Sequence, residues 1–431
     1  MRWSCSFLLG FTYVVSFSQE MVTYYDLNQT ALKEKYGTIM ADSLIPHGNY
    51  EMYSPSGKRI VTGSFDKGEK HGLFTNYYEN GNIQRETEYV DGLRQGLTKV
   101  YFPNGSIQQQ ATFKDDTLLG EIKIFHENGQ VKGLSEFRRG LPEGLVVSYY
   151  DNGNKKEEFN YVNGKPNGIT RQYFETGGIQ LEAEYVNGLL DGSYRTFFPE
   201  GQLEMEVYNS RGKRSGFVKK YYANGQMESI GNYENGNLVG DFHIFYDSGN
   251  PKSFYRYKSG RKVGENLDYF ESGAVKKSAK YTKGGLDATI ITYNEKGKMT
   301  SESFLVDELK SGTWKYYDDK GRLQLEETYL VGKLEGTQSR YEGKKLLQQG
   351  SYSKGKKTGT WTTYHSNGKI KELANYRLNL LHGVFETFHK NGQVHYKGRY
   401  INNKRAGEWQ YFDVKGNLTE TQRYQSGQRI D

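Results

Sequence analysis

The chain has 431 residues, among them 52 Gly, 37 Tyr and only 7 Pro, and carries a formal net charge of +7. Apolar and aromatic residues together reach 35%, and with Tyr set aside too few aliphatics remain to fill a thick, multi-layer core. An aromatic share of 15% with so few prolines does not fit a disordered chain, and the missing Gly-X-Y triplet excludes collagen. What is left is a thin, Gly-punctuated β structure, and a charge this mild for its size gives no reason to expect a nucleic-acid partner.

The chain opens with Arg2 and an apolar run from Cys5 to Phe17, and Ser16-Phe17-Ser18 sets small residues before Gln19. This pattern predicts an export signal over residues 1–18 and hence a protein of the periplasm, outer envelope or secreted fraction. The run is too short to span a bilayer, and no later segment approaches roughly 20 apolar residues, so no transmembrane segment is expected. The only cysteine, Cys5, lies inside that signal. The mature chain is therefore expected to have no disulfide, no thiolate nucleophile and no Cys metal ligand. Residues 19–47 lack the pattern that follows, and the stretch from Tyr24 to Tyr36 reads as an N-terminal cap over the first open edge.

From residue 48 to the C-terminus the chain is a single repeat. Glycine recurs every 24 residues at 48, 72, 96, 120, 144, 168, 192, 216, 240 and 264, then at 312 and 336, with Ala288 in the missing slot. After a one-residue deletion the register resumes at Gly359, Gly383 and Gly407, which makes 16 units. Counting each anchor as position 0, an aromatic stands at position 5 in every unit, from Tyr53 and Tyr77 to Phe412. A second Gly follows at 9, often after Asn, as in Asn80-Gly81 and Asn224-Gly225. An aliphatic residue at 11, an aromatic at 17 and a closing Gly at 20 complete the unit.

Asn-Gly between two short alternating runs signals a tight hairpin. Each unit is read as strand, turn, strand and a Gly-bearing connection. A three-residue loop pairs position 5 with 11, and that choice is expected to gather positions 5, 11, 15 and 17 on one face. A lone hairpin is marginal, so neighbours must stack. The predicted fold is all-β, an elongated single-layer antiparallel sheet of tandem β-hairpins, with about 32 strands running on the order of 150 Å.

The junction Phe65-Asp66-Lys67-Gly68-Glu69-Lys70-His71-Gly72, its counterpart from Tyr329 to Gly336, and the Tyr-x-x-Asn-Gly turn resemble MORN repeats. The variant they look like is that of the YwqK-like antitoxin family, and the resemblance covers nearly the whole mature chain. It implies hairpin arrays that act as protein-binding or membrane-associated scaffolds, or as antitoxin and immunity proteins. It implies no catalytic residues.

Reading the residues for chemistry yields little. His126, His365 and His389 share position 6, where Tyr or Phe usually stands, and strand spacing keeps neighbours too far apart to share a metal ion. Lys357-Thr358-Gly359 imitates a catalytic motif but is explained by its repeat slot. No enzyme activity, metal or cofactor is expected. The candidate partner-binding residues crowd the C-terminal third: Trp314, Trp361 and Trp409 at position 2, the nearby Tyr316, Tyr317 and Tyr364, and the junction cations Lys310, Lys333, Lys356, Lys357, Lys404 and Arg405. Aromatic columns can anchor a protein or stack on sugars, or else form the sheet's own core. The basic junctions are expected to line one edge. Residues 288–358, where the period is disturbed, are expected to bend the sheet or carry a site.

The expected function is an exported, non-enzymatic repeat scaffold that binds a macromolecular partner, in first place a protein, as an antitoxin or immunity protein would. The alternative is an envelope-associated module gripping polysaccharide or anionic lipid.

Overall fold

The structure is a computed structural model that describes residues 19–39 and 45–431. The expected export signal, residues 1–18, lies outside the described residues. Among those residues the chain is all β apart from a single 3-10 turn at Lys283–Gly285. Two compact units divide it, the first running to Lys213 and the second from Arg214, with Met205–Val207 counted in the second. Within each unit successive strands pair antiparallel with their sequence neighbours.

The first unit shows the local rule. Pro46–Tyr53 pairs with Arg59–Asp66, which pairs with Glu69–Tyr77, which pairs with Ile83–Val90. The hairpin pairs Tyr77 with Ile83, position 5 against 11, as the three-residue loop requires. The junction Val90-Asp91-Gly92-Leu93 is a two-residue turn with positive φ at Asp91 and Gly92, matching the twist of the strands on either side. Residues 19–39 meet the first repeat's edge by pairing with it. Glu20–Tyr24 and Leu32–Thr38 form a further hairpin, and the latter pairs with Pro46–Tyr53, so this segment extends the sheet of the first unit.

The shared face differs from the expected one. Asn76 pairs with Arg85 but Tyr77 pairs with Ile83, which leaves Gln84 at position 12 as the extra residue of a β-bulge. That residue breaks the two-residue alternation. Positions 2, 15 and 17 therefore form the core face, while the position-5 aromatics lie opposite them. There Tyr101 donates to Glu86 and Tyr173 to Glu158, both at 2.5 Å, from position 5 to position 14 of the preceding repeat. Burial, aided by those carboxylates, pushes both phenols up to about 12.

Core packing follows volume compensation between adjacent repeats. A Cβ added to Gly63 would lie 2.6 Å from the Phe74 ring, one on Gly231 2.2 Å from Phe242, and one on Gly398 2.2 Å from Trp409. Glycine at position 15 thus makes room for a ring at position 2 of the next repeat. Where position 15 is bulky, as Phe159 or Tyr255, position 2 of the next repeat shrinks to Thr170 or Asn266, both buried. The two columns thus compensate each other, a small residue in one meeting a large residue in the other, as close packing demands.

The disturbed stretch keeps its ladder. Ala288 lacks the left-handed bulge of the anchor glycines, and the pairing from Lys277↔Thr292 to Thr282↔Asp287 runs without a shift. The loop around the Lys283–Gly285 turn takes up the two residues that the bulge holds elsewhere. At Gly343 the hairpin shortens to Glu342↔Lys345 while Tyr341 still pairs with Leu346. Each irregularity is absorbed in its own turn.

Candidate binding surfaces

Positions 21 and 22 are neighbours in sequence, and strand alternation sends them to opposite faces. This splits the expected basic edge. Lys310, Lys357 and Arg405, all at position 22, fold over the core, with Lys310 4.3 Å from the Trp314 ring, Lys357 3.9 Å from Trp361 and Arg405 4.3 Å from Trp409. Each cation also reaches the position-17 ring beside it, Tyr329, Tyr376 or Tyr424. Burial lowers the Lys357 ammonium below its ordinary range. Lys333, Lys356 and Lys404, at position 21, stand exposed on the other face.

The tryptophan column belongs to the core. Trp361 is 2% exposed and Trp409 is fully buried, in a cluster with Ala374 and Phe385. Trp314 is half-buried and its indole N–H donates to the Phe304 carbonyl at 3.1 Å. Tyr316, Tyr317 and Tyr364 are half-buried, and burial raises the Tyr316 and Tyr317 hydroxyls above the usual phenol range. The structure therefore packs Trp314, Trp361, Trp409, Tyr316 and the position-22 cations together on the core face, places Tyr317 and Tyr364, at position 5, on the other face, and leaves the three position-21 lysines as the ones displayed to solvent.

Sequence reasoning passed over the aliphatic residues on the face opposite the core. Leu73, Leu97, Leu145 and Ile169, all at position 1 in the first unit, are 52%, 44%, 49% and 43% exposed. Junction residues on the same face add Val90, Leu93, Val186 and Leu189, also exposed. Around them run charged rungs such as Arg171–Glu182 at 2.9 Å. The signal was present as a recurrent Gly-Leu or Gly-Ile step after the anchor, which core packing does not need.

The position-6 residues tie each repeat to the next. Tyr78 donates to the Tyr101 carbonyl at 2.7 Å and Tyr150 to the Tyr173 carbonyl at 2.9 Å. His126, His365 and His389 do the same through Nε2, to the carbonyls of Tyr149, Phe388 and Phe412. Turn asparagines repeat the device: Asn80 accepts from the Asn82 N–H and donates to the Pro103 carbonyl one repeat on. Among the described residues no three His, Cys, Asp or Glu side chains are placed to hold a metal ion.

Tandem two-stranded hairpins joined in this way define a β-repeat protein. The MORN repeat variant model matches residues 70–91, 94–115, 118–138, 142–163, 166–187, 190–208, 216–235, 310–330, 357–377 and 381–402, and these hairpins belong to that repeat family. No curated protein matches the chain. Among solved structures it is similar to TcdB2-TccC3 without its hypervariable C-terminal region, at 10% identity over 94% of this chain and 25% of that one, with a TM-score of 0.15. It is likewise similar to the Photorhabdus luminescens Tc holotoxin pore, at 12% identity over 94% and 22% of the two chains, with a TM-score of 0.14. The chain thus spans about a quarter of the length of the solved chains it matches, and at such scores the likeness says nothing of function.

Proposed function

We propose that the protein is an exported, non-enzymatic scaffold that holds a protein partner on the face opposite its aromatic core, in the manner of an immunity or antitoxin protein. The observation that carries this reading is the exposed aliphatic column Leu73, Leu97, Leu145 and Ile169. Aliphatic side chains rimmed by charge suit the apolar centre and polar rim of a protein interface. Sugar stacking calls for exposed rings, and the Trp361 and Trp409 rings are buried beneath cations. The residues 1–18 pattern supports export.

A second reading keeps Lys333, Lys356 and Lys404, exposed at position 21, as contacts for anionic lipid or polysaccharide. One pull-down separates the two, using the full chain as bait on envelope and secreted fractions of the source cell. The protein reading expects a stoichiometric protein held at high salt, lost from a Leu97→Asp/Ile169→Asp variant and kept by a Lys333→Gln/Lys356→Gln/Lys404→Gln variant. Recovery only of lipid or polysaccharide, released by salt and lost with the lysines, would overturn it.

A further inference from the structure

On the core face, positions 4 and 13 stand opposite each other along the ladder. In most repeats these slots hold neutral pairs such as Val100↔Gln109 or Ile124↔Gly133. In the second unit one row reads Ser253, Asp268, Lys277, Thr292 and Ser301, each directly opposite the next on successive strands. A cleft of about 420 Å³ opens over this row, flanked by Lys252 and Lys276.

The polar groups of the cleft are arranged in a particular way. Asp268 is already engaged, accepting from the Ser253 hydroxyl at 2.8 Å and the Tyr255 hydroxyl at 2.5 Å. Burial, with Asp268 beside it, pushes the Tyr255 phenol up to about 12, so it stays a donor at neutral pH. Three ammonium groups thus line the cleft against a single carboxylate, whose Oδ1 accepts both hydroxyl hydrogens. Lys252 and Lys276 occupy the bulge position of consecutive repeats. Each is steadied over a ring, Lys252 at 5.4 Å from Tyr246 and Lys276 at 5.6 Å from Phe270. One strand lies between theirs, which sets their backbones roughly 10 Å apart. At the far end the Thr292 hydroxyl bonds to those of Thr300 and Ser301, at 2.7 and 2.6 Å.

With each ammonium held over its own ring, one small anion meets both only if the side chains leave those rings. The lysines call for anionic groups on separate residues of a chain, and the hydroxyl cluster calls for neutral hydroxyl partners between them. We propose that this cleft binds a short acidic oligosaccharide, whose carboxylates pair with Lys252 and Lys276 and whose hydroxyls meet those of Thr292 and Ser301. The site uses other residues than the surface assigned to a protein partner, and stands or falls independently of it.

Isothermal titration of the full chain at low salt tests this, with tetragalacturonate as the acidic probe, maltotetraose as the neutral one and tripolyphosphate as the phosphate one. Tetragalacturonate should bind and maltotetraose should not. A Lys252→Gln/Lys276→Gln/Lys277→Gln variant should weaken binding about tenfold or more. A Lys333→Gln/Lys356→Gln/Lys404→Gln variant, which removes equal charge from the opposite face, should stay within about twofold. Thr292→Val should weaken the sugar but not tripolyphosphate, and thermal melts check that each variant is folded. Absent binding, equal loss in the two triple variants, or tripolyphosphate binding as tightly as the sugar would overturn the proposal.

Discussion

At the scale of single residues, the stacking of repeats is decided by what meets across each junction. Gly398 shows this most sharply: any β-carbon there would overlap the Trp409 ring, which is fully buried and has no room to retreat. Gly398→Val should therefore destabilise the protein by about 2–3 kcal/mol through overpacking. Trp409→Thr alone should cost about 3–5 kcal/mol through the cavity it leaves. Combined, they recreate a pairing of moderate side chains like that of Thr87 with Thr98, both buried one repeat apart. The double variant should be more stable than the sum of the singles by about 1 kcal/mol or more. Urea titration of the four proteins measures that coupling, and simple additivity would refute volume compensation as the stacking rule.

At the scale of the hairpin, much of the architecture was legible and one part was not. Asn-Gly at a fixed distance from the anchor gave the turn and the pairing of position 5 with 11, which Tyr77↔Ile83 shows. The shared face was misjudged because counting by twos from position 11 to 17 presumes a regular pleat, and the bulge at Gln84 leaves no mark in that count. The Trp column and the basic junctions were legible as columns, but not their partners. Comparing position 15 with position 2 of the next unit would have exposed the Gly–Trp matching. Noting that Lys356 and Lys357 are adjacent, and so face opposite ways, would have split the cations. The same reasoning makes substitution toward the repeat's own pattern unsafe. Ala288 sits in unbulged strand and is buried, so Ala288→Gly should cost about 1 kcal/mol. Glu308 occupies a left-handed turn position at φ 66°, where a side chain is strained. Glu308→Gly should gain about 0.5–1 kcal/mol, the relief of strain being partly offset by greater freedom of the unfolded chain. Thermal melts of the two variants should move in opposite directions, although each restores the glycine of the pattern.

At the scale of the whole molecule, the ties between repeats read backbone more than side chains. Tyr78 and Asn80 bond to carbonyls of the next repeat, and a carbonyl is supplied by whatever residue stands there. Stability in such an array is approximately a sum of repeat terms and nearest-neighbour terms. Removing one whole unit, Gly96–Leu119, joins Gln95 to Gly120 and restores every element of the period. Tyr78 then finds the carbonyl of Phe125, and Thr87 meets Ile122 where it had met Thr98. That deletion should keep a cooperative transition and cost about 1 kcal/mol, the scale of one imperfect contact, with the urea slope falling only by the surface of the lost hairpin. Deleting Gly96–Ile107 removes half a unit, makes the strand of residues 108–114 follow the Asp91-Gly92 turn in reversed direction without its anchor bulge, so that its core side chains face the wrong way, and should abolish the cooperative transition of the first unit. Circular dichroism during urea unfolding distinguishes these outcomes. If the whole-unit deletion collapsed as the half-unit one does, stability would depend on the order of particular repeats, and the partner surface could not be treated as columns that tolerate the gain or loss of a rung.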